Sequence, residues 1–129
     1  CGDNNVVKDV VFDNIRIENI AKGAILQVKV GYNAKYCKAP GKAVENILFR
    51  NIRYNGYGGQ EGLEGHEPPM SLILGYDAER TVKNIRFEGL KINGRTIFDG
   101  MKGKPGWYKT ADMGNIFVND HVRGLRFDK

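Results

Sequence analysis

The sequence is short of serine, alanine and leucine, and it has no long apolar run. Ser71 is its only serine, and alanine and leucine number seven each against 21 valines and isoleucines. β-Branched residues favour strands, so the composition disfavours a helical protein. No segment approaches the roughly 18 consecutive apolar residues of a membrane helix. Two cysteines, Cys1 and Cys37, are too few to form a zinc site alone, and a disulfide between them is left open.

What the sequence has in excess is positive charge, glycine and asparagine. Twenty lysines and arginines against 15 acids give a net charge of +5. This balance favours an anionic partner, namely an acidic polysaccharide, a nucleic acid or a membrane surface. Seventeen glycines and 12 asparagines indicate many sharp turns. A chain of 129 residues is the size of one domain with a modest core.

An internal repeat is the strongest signal in the sequence. Four copies begin at Val7, Val44, Val82 and Val122, so their starts lie 37, 38 and 40 residues apart. A period of this size is typical of stacked solenoid architectures. Four of the six phenylalanines occupy the same position in these copies, and the repeat therefore predicts a single column of aromatic rings. These phenylalanines are Phe12, Phe49, Phe87 and Phe127.

Within each copy, apolar residues alternate as in a strand with one buried face, and the alternation slips by one residue at Asn14. Such a slip predicts two short strands joined by a corner, with Asn14, Asn51 and Gly89 in a left-handed backbone conformation. Asn14 and Asn51 are expected to hydrogen-bond along the stack, and Gly89 interrupts that row. A third strand is predicted in residues 24–30, 71–75 and 115–118.

Three strands per copy, stacked at the spacing of a parallel sheet, predict an all-β fold. The specific prediction is a right-handed parallel β-helix solenoid of about three and a half coils. Residues 1–129 form a single segment of it, and the start Cys1-Gly2-Asp3, without an initiating methionine, indicates a processed or excised chain. A leucine-rich repeat is the main alternative, but its repeats run only about 20–29 residues.

Three excursions outside the repeat could carry binding residues, because loops on a rigid scaffold commonly do so. The first, Gly31 to Lys42, has two tyrosines and three lysines, Tyr32 and Lys35 among them, and no acid, which suits charge and ring contacts with an anionic sugar. The second, Tyr54 to Met70, contains His66 between two glutamates, as a general base or a metal ligand would be placed. The alternative for each excursion is a solvated surface loop.

The third excursion, Asp99 to Gly114, carries Trp107 and Tyr108 among lysines. These rings either stack on a sugar or cover the open edge of the last coils. His121 lies at the final corner and is expected to be structural.

Other chemistries find little support. There is no phosphate-binding glycine loop and no Cys-x-x-Cys pair, and the lone serine has no nearby histidine. No two carboxylates appear as neighbours on the repeat, which leaves the catalytic residues unknown. We expect no metal and no cofactor.

The repeat Val-x-Asn-Ile-x-Phe-x-Asn-Ile-x-Ile, with Gly75-Tyr76-Asp77 before the third copy and Leu90 to Gly94 closing it, resembles the C-terminal coils of polygalacturonase-like glycoside hydrolases of family 28. This resemblance covers nearly the whole chain, and it implies that residues 1–129 are the C-terminal part of a larger β-helix domain. It implies an extracellular or periplasmic enzyme that cleaves an acidic, galacturonan-like polysaccharide by inverting hydrolysis with two carboxyl groups.

The resemblance transfers few functional residues. The family's Asn-x-Asp, Asp-Asp and Gly-His-Gly motifs are missing, so its catalytic acids would lie on coils before Cys1; Gly65-His66-Glu67 matches the last motif only in part. Gln27-Val28-Lys29 stands where the family has Arg-Ile-Lys, which implies that Lys29 approaches a substrate carboxylate. Lys29, Tyr32, Lys35 and His66 are therefore the expected substrate-binding residues.

Two other functions remain as alternatives. The first is a non-catalytic β-helix that binds glycans or serves as a structural rod, and the second, weaker one is nucleic-acid binding driven by positive charge. The favoured interpretation has a polysaccharide partner and neither a nucleic-acid nor a membrane partner. It also has an open first coil, through which the chain could associate with itself.

Overall fold

A computed structural model describes residues 2–18, 25–55, 71–101 and 116–129. These residues form ten strands and no helix, which confirms the prediction of an all-β fold. The longest strands are β1 (Val6–Glu18) and β3 (Ala43–Asn55). The shorter ones are β2 (Gln27–Lys29), β4 (Ser71–Leu74), β5 (Val82–Glu88), β6 (Leu90–Ile92), β7 (Arg95–Ile97), β8 (Ile116–Val118), β9 (Val122–Arg123) and β10 (Arg126–Asp128).

Equivalent positions of the repeat pair side by side in a seven-stranded sheet. β1 pairs with β3 in parallel, β3 with β5 and β6, and β5 with β9 and β10. Val44 lies opposite both Val7 and Val82, and Val82 lies opposite Val122. The four copies are therefore stacked in the register that their sequence alignment predicts.

The phenylalanine column is confirmed. Successive rings of Phe12, Phe49, Phe87 and Phe127 lie 5.0, 4.6 and 4.6 Å apart between centroids, and their planes differ by 8° or less. Phe87 is fully buried between its two neighbours. Because each ring covers the next, the column forms a continuous apolar spine across the copies.

The corners carry the backbone conformation that the sequence predicts. Asn14, Asn51 and Gly89 have φ values of 57°, 53° and 72°. The Asn51 side-chain amide donates a 2.9 Å hydrogen bond to Asn14 Oδ1, which confirms the asparagine row. Left-handed residues turn the chain here without losing strand pairing on either side.

A second row of corners, five residues earlier in each copy, was not predicted. It consists of Asp9, Asn46, Asn84 and Gly124, which all have positive φ. Asn84 Nδ2 donates to Asn46 Oδ1 at 3.0 Å, and Asn46 Nδ2 donates to Asp9 Oδ1 at 3.0 Å. Each copy therefore bends twice, and amide ladders stabilise both bends.

The prediction of two separate strands around the corner holds only in the third copy. There Gly89 divides β5 from β6, whereas β1 and β3 continue as single strands of 13 residues. In the pairing between β1 and β3, residues on both sides of Asn14 keep their partners. The corner is thus a local bend within one hydrogen-bonded ladder, and it does not end the strand.

The predicted third strands form a separate parallel sheet in the order β2-β4-β8. Val28 lies opposite Ile73, and Ile73 lies opposite Val118. Val28 and Ile73 are buried, while Lys29 is exposed, so alternate residues of these strands face the core and the solvent.

One antiparallel hairpin makes the larger sheet mixed. β6 and β7 are joined by Asn93 and Gly94, whose φ values of 50° and 80° suit a tight hairpin turn. β7 therefore occupies the edge of β6, and the last copy covers only β5. In the described residues parallel pairing therefore ends at β6, whereas β5 continues the parallel stack to β9 and β10.

Ion pairs link the outward faces of successive copies. Arg50 binds Asp13 through two hydrogen bonds of 2.7 and 3.1 Å. Arg86 contacts Glu88 at 2.9 Å and Asp128 at 2.8 Å. These pairs are substantially exposed to solvent, so each adds little to stability at neutral pH.

Acid should weaken these pairs in a defined direction. The hydrogen bond from Arg50 holds the pKa of Asp13 below its ordinary value of 3.8, and Arg86 does the same for Asp128. A carboxyl whose pKa is lowered by folding stabilises the folded state above its unfolded pKa and stops doing so as pH falls through the folded pKa. We therefore expect the urea concentration at the unfolding midpoint to decrease as the pH is lowered below about 4. The decrease should be smaller in the Asp13→Asn and Asp128→Asn variants. An unchanged pH profile in both variants would contradict this assignment.

Candidate functional site

Tyrosine and lysine side chains lie together on the loop that follows β2. Tyr32 is 45% exposed and Tyr36 is 74% exposed. The Lys35 ammonium lies 5.3 Å from the centroid of the Tyr36 ring, within the range of a cation–π contact. An exposed aromatic ring beside a cation offers a sugar both an apolar face and an electrostatic partner for a carboxylate.

A turn at Asn33 fixes the shape of this loop. The Asn33 carbonyl oxygen accepts hydrogen bonds from the backbone N–H groups of Tyr36 and Cys37, at 2.9 and 2.8 Å. Its side-chain oxygen accepts the N–H of Lys35 at 3.0 Å. The residues that display the aromatic and cationic groups are therefore held in place by local backbone bonds.

The far end of the loop is anchored from two directions. Asp3 Oδ1 accepts the backbone N–H groups of Lys38 and Ala39. The Arg80 guanidinium donates to the carbonyl oxygens of Pro40 and Gly41, at 3.1 and 2.9 Å. Since Arg80 belongs to the next copy, this contact fixes the loop relative to the repeat beneath it. A rigid loop loses little conformational entropy on binding a ligand.

Tyr76 is a neighbouring aromatic residue that sequence reasoning did not assign to the site. It follows β4 as Tyr32 follows β2, and it is 43% exposed. β2 and β4 are paired strands, so the loops after them leave the same sheet at the same end. Tyr32 lies three residues after the end of β2 and Tyr76 two residues after the end of β4, and a tyrosine shortly after both strands was the signal that could have found it.

The other predicted site residues have different outcomes. Lys29 is exposed at the end of β2, immediately before the loop, which places it in the same region of the chain as Tyr32. His66 and Trp107 lie outside the described residues. The His121 carbonyl oxygen accepts the N–H of Val82 at 3.1 Å, and the His121 Cβ lies close to Gly75; the structural role of its side chain stays a prediction.

The expectation that no carboxylates are neighbours on the repeat is wrong at one place. Asp128 lies directly opposite Glu88 in the parallel pairing of β10 with β5. Arg86 contacts both carboxylates, and its hydrogen bond lowers the pKa of Asp128. A carboxyl with a lowered pKa is ionised near neutral pH and is a poor proton donor. The pair therefore links two copies and does not resemble a catalytic acid and base.

Ser71 has a structural role. It is buried, and its hydroxyl oxygen accepts the backbone N–H of Leu26 at 3.3 Å. Within the described ranges no three His, Cys, Asp or Glu side chains come together as metal ligands. The same residues contain no helix of the length and apolarity needed to cross a membrane.

The first copy borders an apolar cavity of about 450 Å³. Its inward side chains are far more exposed than their equivalents in the third copy: Phe12 is 41% exposed and Ile15 37%, against 0% for Phe87 and 1% for Leu90. The cavity is the uncovered end of the core. Its lining is mainly aliphatic and aromatic, which makes it unsuitable for a hydrated sugar.

In comparisons with known proteins, the chain matches no family model, no curated protein and no solved structure. The resemblance to polygalacturonase-like enzymes stays a prediction from the repeat residues.

Proposed function

We propose that this chain is the acidic-glycan-binding part of a carbohydrate-active protein built as a right-handed parallel β-helix. The observation that supports it most is the preorganised loop carrying Tyr32, Lys35 and Tyr36, with Lys29 before it and Tyr76 beside it. The coil architecture is supported by parallel pairing at the period of the repeat and by the phenylalanine column. His66 completes the proposed substrate-binding set.

The whole protein, in this proposal, is a secreted or periplasmic hydrolase that cleaves a galacturonan-like polysaccharide. One carboxylic acid protonates the leaving oxygen and a second carboxylate activates water. In this proposal both acids lie on additional coils. Incubation with polygalacturonate should release reducing ends with the whole protein and not with these 129 residues alone. Release by the 129-residue chain would show that its own carboxylates are catalytic.

A non-catalytic glycan-binding or structural module is the second candidate. It is favoured by the Glu88 and Asp128 arrangement, in which the only opposed carboxylates of the described strands are neutralised by Arg86. The uncovered first copy also supports association of the isolated chain with itself through that end. Failure of the whole protein to release reducing ends, with glycan binding intact, would decide for this candidate.

The loop provides the direct binding test. We expect the chain to bind galacturonate oligomers in calorimetry and to bind a neutral glucan oligomer at least about tenfold more weakly, because Lys35 and Lys29 favour a carboxylate. Tyr36→Ala should weaken galacturonate binding by about fivefold or more through loss of ring stacking and of the cation–π contact.

Lys8→Gln is the matched control for Lys35→Gln, since each removes one exposed lysine and Lys8 lies on the first strand, outside the loop. Lys35→Gln should weaken binding while Lys8→Gln leaves it unchanged. Equal effects of the two substitutions would mean that net charge alone drives binding, and would overturn the loop assignment.

A further inference from the structure

A row of three like charges runs across the outer face of the larger sheet. Arg16 lies opposite Arg53 in the pairing of β1 with β3, and Arg53 lies opposite Lys91 in the pairing of β3 with β6. All three side chains are exposed. We call Arg16, Arg53 and Lys91 the cationic row; successive members are separated by the strand spacing of about 4.8 Å.

The cationic row differs from its neighbours on the same sheet. Directly opposed like charges are destabilising, and two other outward rows of the first three copies alternate in sign. These rows are Lys8, Glu45 and Lys83, and Asp13, Arg50 and Glu88. Only the cationic row keeps one sign through all three copies, so its arrangement is unfavourable for the free protein.

The row is also poorly neutralised. Arg16 contacts Glu18 at 2.8 Å, in a pair whose side chains are both 64% exposed. Within the described ranges, Arg53 and Lys91 have no acidic partner. Two adjacent cations are thus left available for an anion from solution, at a cost in repulsion that a bound anion would remove.

Amide groups flank the row on both sides. Asn14 and Asn51 form the ladder two residues before it, and Asn55 is exposed two residues after Arg53. Amides donate to and accept from sugar hydroxyls, while guanidinium groups match the geometry of carboxylates. Among the described residues, none of the exposed aromatic rings belongs to these three positions or to the amides that flank them, whereas a single-stranded nucleic-acid surface commonly uses such rings to stack bases.

We propose that the cationic row is a second binding surface for an acidic polysaccharide, which lies across the strands with carboxylates against these cations. This inference depends on the proposed function for the class of ligand, and it adds a site remote in sequence from the loop after β2.

The test compares an Arg53→Gln/Lys91→Gln double variant with a Lys8→Gln/Lys83→Gln control, which removes the same charge from an alternating row. Affinity for polygalacturonate is measured by calorimetry at several salt concentrations. The row variant should bind at least about tenfold more weakly, and its affinity should depend less steeply on salt because fewer ions are exchanged. The control should bind as the unmodified chain does.

Stability provides an independent readout, because removing opposed like charges should leave the melting temperature of the row variant unchanged or higher. A row variant that binds like the control, while Tyr36→Ala binds weakly, would overturn the second surface and leave the proposed function standing. No binding of polygalacturonate by the unmodified chain would overturn both. Tighter binding of single-stranded DNA, lost in the row variant, would replace the polysaccharide with a nucleic acid.

Discussion

Phe87→Ala is expected to destabilise the chain by about 3–5 kcal/mol, the range measured when a buried aromatic side chain is truncated. Phe87 is fully buried, and its ring is stacked at 4.6 Å on both Phe49 and Phe127. Truncation would remove contacts on both faces of the ring and leave a cavity between adjacent copies. The cavity would stay open because strand pairing holds the copies at a fixed separation. Native domains are stable by only about 5–15 kcal/mol, so this loss is a large part of the total.

Urea denaturation followed by circular dichroism measures this loss. Phe117→Ala is the matched control, because Phe117 is 43% exposed on the outer side of β8. It should change the free energy of unfolding by no more than about 0.5–1 kcal/mol. Equal losses at Phe87 and Phe117 would show that the column is not the core of the folded protein.

Gly75→Ala is expected to destabilise the chain by about 1–3 kcal/mol, because it adds an atom to a closely packed contact instead of leaving a cavity. A Cβ atom at Gly75 would lie 2.5 Å from the Cβ of His121 and closer still to its carbonyl oxygen. That carbonyl accepts the N–H of Val82, so it cannot move away without breaking a hydrogen bond between copies. The Asn119 side chain, which bonds both the N–H and the carbonyl of Gly75, would be displaced as well.

Gly100→Ala serves as the control for Gly75→Ala. A Cβ atom there would meet the Phe98 ring at 3.8 Å, an ordinary van der Waals contact. Its effect on the melting temperature should be small, whereas Gly75→Ala should lower it by several degrees. A melting temperature for Gly75→Ala equal to that of the unmodified chain would mean that the second and third copies are not packed as closely as the structure shows.

Several features of the candidate site and the sheet were visible in the sequence but were not used. The Asn93-Gly94 pair is a strong signal of an antiparallel hairpin, whereas the repeat pattern predicts only parallel stacking. Tyr76 follows its strand as Tyr32 does. Asp128 aligns with Glu88, and comparison of the repeats over one more residue would have shown their pairing.

The anchors of the loop were beyond the reach of sequence reasoning. Arg80 is separated by 40 and 39 positions from the two carbonyl groups that it binds, and Asp3 by 35 from Lys38. Such contacts depend on where loops of different length come to lie, and the repeat does not specify the path of a loop. For the same reason the predicted roles of Tyr32 and Lys35 could be guessed from composition, but their rigidity could not.

The sequence by itself determined the all-β fold, the register of the four copies, the phenylalanine column and the asparagine corners. It could do so because the repeat places identical side chains at identical positions, and a ladder of paired strands preserves that correspondence. The tertiary structure alone decided which end of the core is uncovered, how the hairpin ends parallel pairing at β6, and which charges of adjacent copies neutralise one another. These features depend on distances between side chains of different copies, and those distances exist only once the strands are stacked.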